Sequence, residues 1–105
     1  MKSIQVLRAH YINPEEKARY SELIVLRAGT QYYLGTFYSS PTGLTEPGSR
    51  DTSYLESKSH AELALSVLIK LTNDMRGQME ETIIENWEAT MMSRHNVEIF
   101  YRYNP

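Results

Sequence analysis

From residue 59 to residue 76, SHAELALSVLIKLTNDMR, the polar side chains retreat to one narrow arc. At about 100° per residue, Glu62, Ser66, Lys70 and Asn73 share that arc. Leu63, Ala64, Leu65, Val67, Leu68, Ile69, Leu71 and Met75 take up most of the remaining circumference. The pattern predicts a principal helix covered on more than one side. Ser59 followed by Glu62 has capping-box spacing and marks its expected start. Gly77 interrupts the pattern, and residues 78–92 continue it with Met79, Ile83, Trp87 and Met91 at every fourth position. Four residues overshoot one helical turn by about 40°, so this stripe walks around the axis. One straight helix on one flat sheet cannot bury both stripes. Either the helix breaks near Gly77, or its second half meets another partner.

The flanking segments read as strands. Residues 3–12 alternate loosely, with Ile4, Val6, Leu7 and Tyr11, and suit a first strand. Asn13-Pro14 signals a turn, and Pro-Glu-Glu-Lys suits one helical turn with Pro14 first. Residues 20–28 are apolar on both faces, and residues 31–39 alternate behind Gly29-Thr30, which predicts a hairpin. Residues 40–58, rich in Pro, Gly and hydroxyl side chains, read as a loop. Arg94-His95-Asn96 closes the helical region, with basic residues suited to the negative end of a helix dipole. Residues 97–103 then alternate cleanly: Val97, Ile99, Tyr101 and Tyr103 against Glu98, Phe100 and Arg102. Such a strand would insert into the sheet and tie the chain end down.

The expected fold class is α+β, in one small globular domain spanning residues 1–105. An antiparallel sheet of three to four strands carries a long or broken helical region on one face, in the order β-β-β-α-α-β. Length and apolar content allow a modest core. No apolar run approaches a membrane span, and the opening residues lack the apolar core of a secretory leader. With no cysteine there is neither a disulfide nor a thiolate metal site, and the expected location is the cytoplasm.

Charge changes the picture only slightly. The net charge of −2 divides into six basic against four acidic side chains over residues 1–50, and five against nine over residues 51–105. Neither half holds the dense basic patch of a protein that grips phosphate backbones. The histidines His10, His60 and His95 share no metal-ligand spacing, and no phosphate loop, nucleophile elbow or dinucleotide fingerprint occurs. No cofactor and no metal is expected.

Three features stand out. Arg50, Asp51 and Tyr54, in the predicted loop, could bind an anionic group or a partner's carboxylate. The competing reading is an Arg50–Asp51 pair that pins the loop, with Asp51 or Ser53 satisfying backbone donors. The eight tyrosines, including Tyr32, Tyr33, Tyr38, Tyr101 and Tyr103 on predicted strands, suit cross-strand packing first and a protein interface second. Glu80, Glu81, Glu85 and Glu88 crowd the second helical run, and the last three share a face that reads as solvated or as a phosphate mimic.

These observations favour a non-enzymatic binding or regulatory accessory protein acting through contacts with another protein. Two alternatives differ in class. One is a nucleic-acid binder using the tyrosine-bearing strands with Arg8, Arg19, Arg27 and Arg50; the other is a small nuclease-like toxin using His, Arg and Tyr. Size, element order and the absence of catalytic motifs resemble small accessory proteins of bacteria and phages, a likeness of class that assigns no function. If the helix runs on through Gly77, the second stripe needs a cover. A two-fold partner centred on Ile83, Ile84, Trp87 and Met91 is then expected, making the protein a homodimer.

Overall fold

The computed structural model describes residues 14–100. Pro14 opens α1 (Pro14–Lys17), a single turn whose first position needs no N–H donor. The sheet follows as β1 (Ile24–Ala28), β2 (Gln31–Ser39) and β3 (Thr45–Arg50), and α2 (Lys58–Asp74) and α3 (Glu80–His95) come after it. The sheet is antiparallel in the order β1-β2-β3. The α+β class and the order of these elements are therefore as the hydrophobic pattern predicts. The first expected strand, residues 3–12, lies outside the described residues.

The predicted hairpin is present with a flaw in its first arm. Val25 faces Leu34 and Ile24 faces Gly35, but the chain rejoins the ladder only at Tyr20, opposite Tyr38. Between them Ser21 substitutes for the missing regularity. Its backbone N–H donates to the Phe37 carbonyl, and its hydroxyl accepts from the Phe37 N–H.

Residues 40–58 are not one loop, contrary to the compositional reading, because they contain β3. Pro47 faces Phe37 at the register shift, and β3 lies at the edge of the three-stranded sheet, the setting in which a strand tolerates proline. Gly48 sits against the Thr36 hydroxyl and the Tyr20 ring, where a Cβ would crowd both. Beyond Arg50 the chain keeps alongside β2. Leu34 donates to the Thr52 hydroxyl, and Tyr32 and Leu55 exchange both backbone bonds.

That last pair fixes where α2 begins. The cap is Ser57 rather than Ser59: its hydroxyl accepts from the His60 N–H at 3.1 Å, and Ser59 already lies inside the helix. Ala61, Ala64 and Leu68 are fully buried, while Glu62, Ser66 and Lys70 are exposed. The apolar girdle fails at one point, since Leu63 is 52% exposed.

The helical region breaks where the pattern changes. Gly77 adopts φ 92°, a conformation that strains any residue with a Cβ, and α3 folds back on α2. Ile83, Ile84, Trp87 and Met91 consequently join one core with Leu23, Leu34, Leu55, Leu68 and Val97. These four side chains do not form the exposed stripe on which a two-fold interface was expected; Trp87 is 1% exposed within a single chain. The indole N–H donates to the Thr72 hydroxyl at 3.1 Å, and that hydroxyl donates to the Leu68 carbonyl at 2.8 Å. Asn96, at φ 54°, ends α3 in the left-handed conformation, and Val97 donates back to Met91. The alternation predicted for the chain end holds through residue 100: Val97 and Ile99 are buried and Glu98 is exposed. Ile99 bridges Thr52, so this segment continues the sheet beyond the end of β3. Residues 101–103 lie outside the described residues.

A core built this way makes a direct prediction. Truncating Trp87 to Ala is expected to cost about 3–5 kcal/mol, and Thr72→Val about 1–3 kcal/mol through the orphaned indole donor, both read from urea unfolding midpoints. Trp87→Glu should unfold the chain rather than yield a folded species of lower mass. A well-folded Trp87→Glu variant would show that the indole is not a core element.

Candidate functional site

Two surfaces combine chemistry with shape. The first is built on β3 and the turn that follows it. The register opposes Arg50 to Gly35, so Arg50 shares the sheet face that carries Tyr33 and points away from the helices. Backbone pairing of Asp51 with Phe100 and of Tyr32 with Leu55 brings Phe100 and Tyr54 to the same place. The Arg50 guanidinium lies over both rings, 4.3 Å from the centre of Tyr54 and 4.6 Å from that of Phe100. Its Nη1 donates to the Thr52 carbonyl at 3.0 Å. Tyr54 meets Tyr33 edge-on at 5.8 Å. Beside them runs an open groove of about 270 Å³ lined by Ala28, Tyr33, Pro47, Gly48, Ser49, Arg50 and Tyr54.

Of the three residues nominated from the loop, the structure thus joins two. Asp51 is buried, 3% exposed, and forms no ion pair with Arg50. Alternation along an extended chain sends these neighbours to opposite faces, which removes the pairing that adjacent opposite charges suggested. Ser53 does satisfy a backbone donor, accepting from the Glu98 N–H at 3.1 Å. Phe100 is the member that sequence reasoning missed. Its signal was the clean alternation of residues 97–103, but that pattern does not say which strand they pair with.

The second surface lies between α3 and the segment 97–100. Glu85, Glu88, Ala89, Met92, Glu98 and Ile99 line a groove of about 490 Å³. A second hollow of about 300 Å³, lined by Glu81, Ile84, Glu85 and Glu88, shares two of those carboxylates and extends it along the helix. The floor is apolar: Met92 is 49% exposed, and Ile84 and Ile99 surface only at its base. Glu81, Glu85 and Glu88 recur at i, i+4 and i+7, as the sequence shows; Glu98 comes from another element and was not foreseen. None of the four carboxylates forms an ion pair or side-chain hydrogen bond among the described residues.

The other candidates are tied up locally. Arg19 donates to the Ser39 carbonyl and Arg27 to the Gly29 carbonyl; Arg8 lies outside the described residues. The His60 ring donates from Nε2 to the His95 carbonyl at 2.8 Å, joining the start of α2 to the end of α3. Among the described residues no three His, Asp or Glu side chains converge to hold a metal ion, and no helix is long and apolar enough to cross a membrane. Compared with protein-family profiles, curated proteins and solved structures, the chain finds no match.

Burial raises the pKa of the Tyr33 hydroxyl above its ordinary value near 10, and Tyr54 adds to the effect while Arg50 opposes it. Tyr20 is raised too, by burial first, then by Glu16 and Tyr38. The sign follows from proton counting. Above the unfolded pKa, the folded chain holds these protons longer than the unfolded chain, so stability falls as pH rises through about 10. Thermal melts at increasing alkaline pH are expected to show that decline, and Tyr33→Phe should flatten it. A phenolate absorbance titration should lose a late component in the same variant; an unchanged titration would refute the assignment.

Proposed function

We propose that this chain is a non-enzymatic binding protein acting through protein contacts, and that it docks a basic, amphipathic segment of its partner in the groove between α3 and residues 97–100. The observation that carries this reading is the apolar floor of Ile84, Ala89, Met92 and Ile99, rimmed by four carboxylates without partners among the described residues. Apolar contact supplies affinity, and four uncompensated negative charges select lysine- or arginine-bearing partners and speed their approach. The like charges also oppose the fold. Glu81 and Glu85 stand one turn apart, an arrangement that costs a few tenths of a kcal/mol on a helix surface. Glu80 and Glu81, in the first turn, recover part of that from the helix dipole; Glu85 and Glu88 lie beyond its reach. A side-chain set that weakens its own helix is better explained by a partner than by folding.

The test uses a fluorescent helical peptide patterned with Leu on one face and Lys on the other. Anisotropy should report saturable binding that weakens with salt, and Glu85→Lys with Glu88→Lys should reduce affinity roughly tenfold or more. The single change Glu85→Gln is expected to raise stability by a few tenths of a kcal/mol while weakening the peptide. Binding indifferent to the double reversal, or a destabilised Glu85→Gln variant, would remove the reading. Duplex DNA offered in the same assay separates the nucleic-acid alternative, which requires steep loss of binding between low and moderate salt.

A further inference from the structure

The Arg50 surface carries opposite charge and is independent of the α3 groove. Of the guanidinium's donors, Nη1 is engaged by the Thr52 carbonyl, while Nε and Nη2 donate to no group among the described residues. Those two atoms form one edge of the fork, the edge that accepts two oxygens side by side. The charge has no counter-ion among the described residues, and none of their acidic side chains lines the adjoining groove. The guanidinium is also held in place. The Tyr54 and Phe100 rings and the Thr52 carbonyl restrict a side chain that is ordinarily flexible, so less freedom is lost when it binds.

We infer that the Nε–Nη2 edge of Arg50 is a binding site for the carboxylate of an acidic peptide segment, whose adjoining chain lies in the groove between Tyr33, Tyr54 and Pro47. Carboxylate and phosphate share the two-oxygen edge that the fork recognises, and the surroundings favour the former. One cation faces the groove, matching a single negative charge; a phosphate dianion would leave charge uncompensated against the electron-rich faces of two rings. The groove's Ala28, Pro47 and tyrosine rings would take up an apolar neighbour of the carboxylate.

The experiment is an NMR titration of the full chain with sodium acetate, inorganic phosphate and sodium chloride at matched ionic strength. The reporters are the Arg50 Nε–H resonance and the ring protons of Tyr33 and Tyr54. Acetate should shift these signals saturably and more tightly than phosphate, with chloride giving only a small linear drift. Arg50→Lys keeps the charge but loses the fork, and should weaken acetate at least fivefold by the Tyr54 reporter; Arg50→Ala should abolish binding. Tyr54→Leu, which frees the guanidinium, should weaken it severalfold. Arg50 and Tyr54 are exposed, so circular dichroism should show folded variants. A non-saturable acetate response, or one unchanged in Arg50→Lys, overturns the site. Phosphate binding as tightly as acetate, or more tightly, overturns the carboxylate assignment.

Discussion

The fold-back at Gly77, closed by the bond from the Trp87 indole to the Thr72 hydroxyl, is the constraint on which the rest of this structure depends. A buried indole N–H without an acceptor would cost about 1–3 kcal/mol, and the acceptor it finds is a hydroxyl of α2. Thr72 can accept because its own proton is already committed to the Leu68 carbonyl. This short relay fixes how far along α2 the second helix sits. It brings Ile83, Ile84 and Met91 over the same core, and turns the glutamate face of α3 outward. The asparagine cap at residue 96 then returns the chain to the sheet, where Ile99 meets Thr52.

The strand β2 has the complementary role. It is paired on both sides, by β1 and Tyr20 along one edge and by β3, Thr52 and Leu55 along the other. A central strand leaves its neighbours little choice of register. Holding Arg50 opposite Gly35 puts the guanidinium on the helix-free face, and holding Leu55 opposite Tyr32 places Tyr54 beside it. The Arg50 cluster is thus a consequence of sheet register rather than of loop sequence.

Local patterns made much of this legible. The 31–39 alternation, the proline-led turn and the break at Gly77 each follow from a period or a residue type that acts over a few positions. What was hidden depends on distant partners. Pro47 and Gly48 mark a loop by composition, yet Pro47 sits at a register shift on an edge strand and Gly48 makes room for Tyr20. Ser59 and Glu62 spell a capping box, but the pairing of Leu55 with Tyr32 starts the helix earlier, at Ser57. Adjacent Arg50 and Asp51 suggest an ion pair until the extended backbone separates their faces. Glu98 and Phe100 carry no signal of their own: each gains its place only when residues 97–100 pair with residues 51–53.

Natural sequences agree with their folds at most levels, and local conflicts concentrate where another demand acts. Two such conflicts occur here. The glutamates of α3 repel one another across an apolar floor, and Arg50 holds a charge with no counter-ion among the described residues against the rings of Tyr54 and Phe100. Neither arrangement is required by the core, which is completed by Trp87, Leu34, Leu68 and Met91. The same segment, residues 97–100, supplies one residue to each surface: Glu98 to the acidic groove and Phe100 to the arginine cluster. Two residues apart on an extended chain, they lie on one side of the segment, opposite the buried Val97 and Ile99. Val97 and Ile99, buried in the core, fix the segment that presents both residues, so its packing serves two surfaces of opposite charge at once.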